Sequence, residues 1–389
     1  MSAQGKPEIL FVVGNYLGGV AYLNKNIIKY TSLRGEANIR LILVNQTDLE
    51  HPRFTDSFGA DEEVDFNYAS YENKYAVLKR FHKLIGEEPG AIICNDGLEM
   101  ETIYHLGTKK TVYQIIHDFY NLRLAVKFGA IVDVYIAHTR LFRDVLLSAD
   151  PANTQAYFLP HGVFIPKDIL NQHSTGNLKI VFTGRLEESK GVKDLYQINK
   201  LLQKRGIMVE WTIIGRGRLR DFLLEQWKGE DGISFTSPDT NEEVMSLMSQ
   251  HDLFILPTRF EGSPVTVLEA LSTGLVPVVS DLPGGISEIV NEDIGRRIPI
   301  GNNSQFAEAI ADLHENRDLL HRLKMNARKL AIEQFDIRKT SDNYFKLFMR
   351  FAEFKKDQAN LPPLQIGFRL DKKWLPNLFV SFVRKAILK

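Results

Sequence analysis

A single cysteine, Cys94, stands in 389 residues. That excludes an internal disulfide and any metal site built on cysteines, and makes a reducing compartment the expected setting. Net charge is lacking too, since 48 Lys and Arg balance 48 Asp and Glu. The balance argues against a generally basic nucleic-acid binder and against an acidic disordered chain. No apolar run approaches the ~20 residues of a membrane-spanning helix. The first apolar run, Ile9 to Val13, is shorter than the ~7–15 residues of a signal-peptide core, and no small-residue cleavage site follows. Also missing are the GxxxxGK[ST] phosphate loop, HExxH and the GxSxG elbow. The expectation is a cytoplasmic α/β protein of enzyme size.

What is present is a rhythm. Ile9–Val13 is continuous and β-branched, the pattern of a strand buried on both faces. It runs into a loop carrying Gly14, Gly18 and Gly19, then a helical segment. Strands are expected at 38–44, 91–94, 111–116, 131–137 and 156–159, with helices at 71–86, 97–106, 121–128 and 139–148. Pro160 to Gly176 breaks the alternation and reads as a linker. Strands then resume at 179–183, 208–214, 233–235, 253–256 and 275–279, with helices at 191–205, 218–227, 241–249 and 265–273. Helices dominate from 304 to 356. Strand–helix alternation implies parallel sheets. The fold expected is two successive doubly wound α/β domains facing a cleft, with ligands at the carboxyl ends of the strands.

The most informative stretch is Phe260 to Ser280, FEGSPVTVLEALSTGLVPVVS. Glu261 falls in a loop after a strand, Pro264 where a helix begins well, and Glu269 over a turn further in. Free N–H groups between two carboxylates suit a diphosphate flanked by two polyols. The N–H groups and the helix dipole take the anion, and the carboxylates take hydroxyl hydrogens. A nucleotide sugar is such a ligand. The alternative is that Glu261 is simply solvated and Glu269 pairs locally.

A second stretch, Gly184-Arg185 to Lys190-Gly191, puts two cations after a strand, a forked grip and a point charge for phosphate. Glu187 and Glu188 are close enough to neutralise them instead. His117 follows the strand 111–116 directly. Gly215-Arg216-Gly217 resembles the start of a dinucleotide fingerprint, but Arg220 replaces its third glycine, which weakens a nicotinamide reading.

Taken in this order, the motifs resemble the retaining glycosyltransferases of family 4, whose fold is GT-B. The family's E-x7-E appears as Glu261 and Glu269, its G-R-x4-K as Gly184, Arg185 and Lys190, and its glycine-rich first loop as Gly18 and Gly19. Its strand-end histidine appears as His117. Pro160-His161-Gly162-Val163 matches its linker, with His161 in place of Asn. The resemblance implies a nucleotide-sugar donor and a hydroxyl acceptor, saccharide, lipid-linked or other, with no nucleic acid involved. Arg185 and Lys190 would hold the diphosphate, Glu269 the ribose, and Glu261 and His117 the sugar. Backbone at Gly18, Gly19, Ser263 and Val265 would complete the anion site. Neither a cofactor nor a metal is implied, and the sequence contains no Asp-x-Asp pair. Implied domains are 1–170 on the acceptor side, 171–340 for the donor, and 341–389 as a returning helix plus tail. Asn95-Asp96-Gly97 departs from the family at the third strand's end, on the acceptor side. Two alternatives share this fold: a nucleotide-sugar epimerase and a non-catalytic nucleotide-sugar binder.

The tail differs from the rest. From Gly367 to Lys389 six basic residues face one acid, Asp371. Trp374, Leu375, Leu378, Phe379, Phe382 and Val383 recur at helical spacing, and Pro376 is tolerated only if the helix starts there. This is the pattern of an interfacial helix on an anionic membrane surface, which would place the protein at the inner face of a membrane. It is equally the pattern of a strap docked on the N-terminal domain.

Overall fold

The computed structural model describes residues 5–149, 155–167, 176–356, 361, 364, 366–367 and 369–387. The chain divides into two compact units, Met1–Pro160 with Arg338–Lys389, and His161–Ile337. The boundary expected at 170–171 lies outside the described residues.

In the first unit, β1 (Glu8–Gly14), α1 (Gly19–Tyr30), β2 (Asn38–Gln46), β3 (Glu62–Tyr68) and α2 (Lys74–Ile85) come first. There follow β4 (Gly90–Cys94), α3 (Gly97–Leu106), β5 (Thr111–Ile116), α4 (Phe119–Phe128), β6 (Val134–Ala137), α5 (Arg140–Ala149) and β7 (Ala156–Phe158). The seven strands lie parallel in the order β3-β2-β1-β4-β5-β6-β7. The sequence reading misses β3, because Glu62, Glu63 and Asp65 give it the charge of an edge strand rather than an apolar run. The strand expected at 131–137 begins only at Val134, after a 3-10 turn over Gly129–Ile131. The helix expected from 71 starts at Lys74, because Asn73 caps it by accepting from Tyr75 N–H.

The second unit holds β8 (Leu178–Thr183), α6 (Asp194–Lys204), β9 (Val209–Ile214), α7 (Arg220–Gln226), β10 (Ile233–Thr236) and α8 (Asn241–Met248). It continues with β11 (Leu253–Leu256), α9 (Val265–Ser272), β12 (Val276–Ser280), α10 (Gly285–Ile289), β13 (Arg296–Ile298), α11 (Asn303–Glu315) and α12 (Arg317–Gln334). Its six parallel strands run β10-β9-β8-β11-β12-β13. The three-residue β13, an edge strand opening on two arginines, is the second strand the sequence reading misses.

The chain then contributes α13 (Ile337–Phe348), α14 (Phe351–Phe354) and α15 (Asn377–Ile387). Tyr344, Phe345, Leu347 and Phe348 are buried in the first unit's core. There Phe348 meets Phe11 and Tyr113 edge-on, at 5.8 and 5.4 Å between ring centres. Polar ties fix the segment. Tyr113 donates to the Leu347 carbonyl (3.0 Å), and the buried Asp133 carboxylate accepts from Val112 N–H (2.7 Å) and Lys356 N–H (2.8 Å).

In each sheet the strand order reverses direction at one place, between β1 and β4 and between β8 and β11. Loops diverge there and leave room for a ligand. In the second unit the loop after β8 makes a 3-10 turn over Glu188–Lys190 that ends at Gly191, with φ +69°. A Cβ at Gly191 would overlap the Pro257 carbonyl oxygen on the neighbouring loop. Gly191→Ala therefore combines left-handed strain with a backbone clash. It is expected to destabilise the protein by at least about 2 kcal/mol, read as a lower urea midpoint at unchanged slope.

Candidate functional site

The second unit's switch point gathers most of the residues singled out above. β8 delivers Gly184 and Arg185, and the loop continues to Lys190. β11 delivers Thr258 and Glu261. Two bonds join the loops: Arg259 N–H and the buried Thr258 hydroxyl both donate to the Ser189 carbonyl, at 2.8 and 3.0 Å. That contact brings Lys190 Nζ to 2.6 Å from Glu261 Oε1, with the two side chains only 19% and 11% exposed. A half-buried ion pair thus spans the point where ligands enter such sheets. Arg185 lies beside it in sequence but reaches outward, 70% exposed, with Glu187 at 3.3 Å. The Glu187 partner expected from the sequence is present; Glu188 pairs with Lys193 instead.

α9 follows directly. Pro264 is its N-cap rather than its first helical residue, and no side chain caps the helix. Val265 N–H, in its first turn, has no intrahelical acceptor. Ser263 precedes it in a half-buried position. Gly274 N–H closes the other end on the Leu271 carbonyl. Glu269 sits one turn along α9. Burial raises its carboxyl to about 7, against a smaller lowering by a hydrogen bond with Asn241. The loop after β9 supports this site from behind: a Cβ at Gly215 would overlap the Gly184 carbonyl oxygen, and one at Gly217 the Leu186 backbone. The two glycines that suggested a dinucleotide fingerprint are therefore packing glycines.

A cavity of about 480 Å³ lies elsewhere in this unit, toward the amino ends of β8 and β9. On its wall His251 Nε2 and Ser234 Oγ lie 2.8 and 3.2 Å from the Thr212 hydroxyl.

In the first unit, Gly18 is fully extended (φ 176°) as the uncapped N-cap of α1, and a Cβ on Gly19 would meet nothing within 4 Å. The protein's own packing does not demand glycine at either position. His117 follows β5 directly, with Nε2 2.9 Å from Asn95 Oδ1 and Nδ1 3.2 Å from His138 Nε2. Burial, then the neighbouring His138, hold His117 well below the usual histidine range, and burial lowers His138 to about 4. Both imidazoles are neutral at pH 7.

Asn95, met in the sequence only as a departure, is a hub. Its Nδ2 donates to the Val12 carbonyl, its Oδ1 accepts from Asn24, and its carbonyl accepts from Asn121. Glu99 behind it caps α3 by accepting from Asn95 and Asp96 N–H. Burial holds the Glu99 carboxyl above the usual range. His138, absent from the sequence reading, carries the same signal there as His117: it is the residue after a buried apolar strand.

This geometry has known counterparts. The two-sheet α/β architecture is that of GT-B glycosyltransferases. The Anabaena protein Alr3699/HepE, solved with UDP and glucose, superposes at a TM-score of 0.67 over 88% of this chain and 99% of its own, at 17% identity. A sucrose-phosphate synthase from Thermosynechococcus elongatus superposes at 0.69 over 90% of this chain and all of its own, at 14% identity. More particularly, residues 168–330 match the family described as glycosyl transferases group 1. In sequence the chain is similar to a putative colanic acid biosynthesis glycosyltransferase, WcaL, of Salmonella typhimurium (29% identity, 41% of this chain, 42% of that one). It is also similar to an N,N'-diacetylbacillosaminyl-diphospho-undecaprenol alpha-1,3-N-acetylgalactosaminyltransferase of Campylobacter jejuni (29%, 41% and 42%). These matches span about four-tenths of those relatives' length.

Glu269 generates a pH prediction. Between pH 4.5 and 7 the unfolded chain ionises this carboxyl while the folded chain keeps it protonated. Stability conferred by the neutral acid is therefore lost as pH rises through that window. Glu269→Gln is expected to be more stable than the wild type at pH 8, by about 2 kcal/mol after allowance for its partial exposure. Denaturant titrations should show the two proteins converging below pH 4.5.

Proposed function

We propose that the protein is a retaining, metal-independent glycosyltransferase of glycoconjugate biosynthesis, moving a sugar from a nucleotide donor to a hydroxyl acceptor. The observation that carries this reading is the Lys190–Glu261 pair at 2.6 Å, set beside the uncapped start of α9 with Glu269 one turn further in. Anionic diphosphate and neutral polyols need different partners, and this arrangement offers both within one turn of helix and one loop. On the diphosphate's arrival Lys190 exchanges Glu261 for phosphate, and Glu261 is released to accept sugar hydroxyls. Arg185 and the N–H groups at Ser263 and Val265 complete the anion site, with Gly184 giving the backbone room. Glu269 accepts from ribose hydroxyls, whose hydrogen bonds favour its ionised form, with its proton passing to solvent.

The chemical demand is electrostatic. The nucleoside diphosphate departs with its charge before much bonding to the acceptor exists, and fixed cations and N–H dipoles stabilise that charge. No enzyme nucleophile is needed if the acceptor attacks from the face the diphosphate leaves. In the first unit the neutral His117 is assigned to a sugar hydroxyl, for which its Nε2 would exchange Asn95 Oδ1, and the open backbone at Gly18 and Gly19 to the donor phosphates. Two relatives are named for acting on diphospho-undecaprenol-linked sugars, which favours a lipid-linked saccharide as acceptor, handled at the cytoplasmic face of a membrane.

The test is a transfer assay run throughout in excess EDTA with a panel of UDP-, GDP- and ADP-sugars. Transfer that requires acceptor and survives the chelator supports the reading. Epimerisation of donor alone, binding without turnover, or activity restored only by Mn²⁺ contradicts it. Arg185→Ala and Lys190→Ala should each lower turnover by about 10²–10³-fold, with a smaller loss of donor affinity. Calorimetry with the bare nucleoside diphosphate separates the carboxylates. Glu269→Ala weakens that binding, whereas Glu261→Ala leaves it intact or tighter while impairing transfer.

A further inference from the structure

The tail helix α15 is fastened to the first unit by one face only. Val380 is fully buried. Asn377 Oδ1 accepts from Asn73 N–H at 2.7 Å, and its amide donates to Glu72 at 2.8 Å. Arg384 reaches the buried Asp371 carboxylate at 2.8 Å and donates to the Glu72 carbonyl. Asp371 also accepts from Lys74 N–H, and Asn73 donates to the carbonyls of Lys372 and Leu375. At ~100° per residue, Asn377, Val380 and Arg384 share one side of the helix, and Leu378, Phe379 and Phe382 share the other. That other side is bare: Trp374, Leu378 and Phe382 are 77%, 86% and 75% exposed, and Phe379 51%. The exposed apolar stripe is thus not what docks the tail; a separate face, polar except for Val380, does that.

We infer that this outward face is a docking surface for a lipid bilayer with anionic headgroups, an inference that extends the lipid-linked acceptor of the proposed function. Charge selects the occupant. Between Arg369 and Lys385 stand five basic residues and one acid, and that acid, Asp371, is buried and paired with Arg384. Lys372 and Lys373 precede Trp374 on the exposed turn, Lys373 lies over the Tyr75 ring at 5.2 Å, and Lys385 lies over the Tyr71 ring at 4.2 Å. A second copy meeting this face on a twofold axis would set like charge against like charge, whereas anionic headgroups complement it. Trp and Phe at the level of the headgroups, with Lys alongside, are what an in-plane interfacial helix presents. With eleven residues, α15 is too short to span a bilayer. Because the fastening face is polar and separate, the exposed stripe is free to insert without unfolding the tail.

The test is flotation of the full chain with vesicles of pure phosphatidylcholine and of phosphatidylcholine mixed with phosphatidylglycerol. The chain is expected to float with the anionic vesicles and much less with the neutral ones, and salt should weaken the binding. Leu378→Ser with Phe382→Ser should lower the partition coefficient by roughly tenfold or more, as should Lys372→Glu with Lys373→Glu. The stripe variant should not shift the melting temperature, since its side chains are exposed, and the lysine variant should lose at most the contact of Lys373 Nζ with the Tyr75 ring, 5.2 Å from its centre. Lys190→Ala should float like the wild type, so loss of the donor-site reading leaves this result standing. Three outcomes overturn the inference: no flotation of the wild type, undiminished flotation of both variants, or a stripe variant that instead converts a dimer to a monomer.

Discussion

Everything proposed for the second unit depends on one half-buried ion pair. Lys190 and Glu261 come from loops 71 positions apart in sequence, and two bonds to the Ser189 carbonyl hold those loops together. An ion pair withdrawn from water is a poor source of net stability, because desolvating both charges offsets most of their attraction. In the proposed function its value is positional: it holds a cation and an anion at the switch point of the sheet, where an entering diphosphate would separate them. Gly191 is part of the same constraint, because only a residue without Cβ lets the turn carrying Lys190 lie against Pro257.

The first unit meets the corresponding problem with neutral groups. At its switch point Asn95 joins β1, α1, α4 and His117 by hydrogen bonds, and His117 is joined to His138. Buried polar networks of this kind are favourable only when satisfied, and here two depressed imidazoles and one amide fix each other's orientation. Tyr344 of α13 donates to the Leu159 carbonyl and lies 3.0 Å from His138 Nδ1. The returning helix thus packs a hydroxyl against the same His138 nitrogen that lies 3.0 Å from the Leu159 carbonyl.

Much of this is legible in the sequence, for identifiable reasons. Strands buried on both faces, such as Ile9–Val13 and Leu253–Leu256, announce themselves as continuous apolar runs. Residues immediately after such strands, among them His117, Gly184 and Arg185, are therefore placed at a sheet edge by the apolar pattern alone. What escapes are the charged edge strands β3 and β13 and the long-range pairings, whereas the edge strands β7 and β10 are legible. β3 and β13 carry charge because solvent faces them, which erases the apolar signal. That Lys190 meets Glu261, and that Arg185 points outward, depends on how two loops fold over each other, and no local periodicity encodes that. Asn95 reads in the sequence as a missing charge and is a structural hub. The tail's helical spacing is readable, but two faces of one short helix, one polar and fastened, one apolar and bare, separate only once Asp371 and Glu72 are seen beneath it.

In the proposed mechanism Lys190 trades Glu261 for a diphosphate at the start of α9. A crystal structure of the full chain with a bound nucleoside diphosphate tests it most directly. Phosphate oxygens are expected on Lys190 Nζ and on the N–H of Val265, ribose hydroxyls on Glu269, and the Lys190–Glu261 contact opened. A nucleotide bound away from α9, or one bound there with the Lys190–Glu261 pair still closed and phosphates held by other groups, would contradict it.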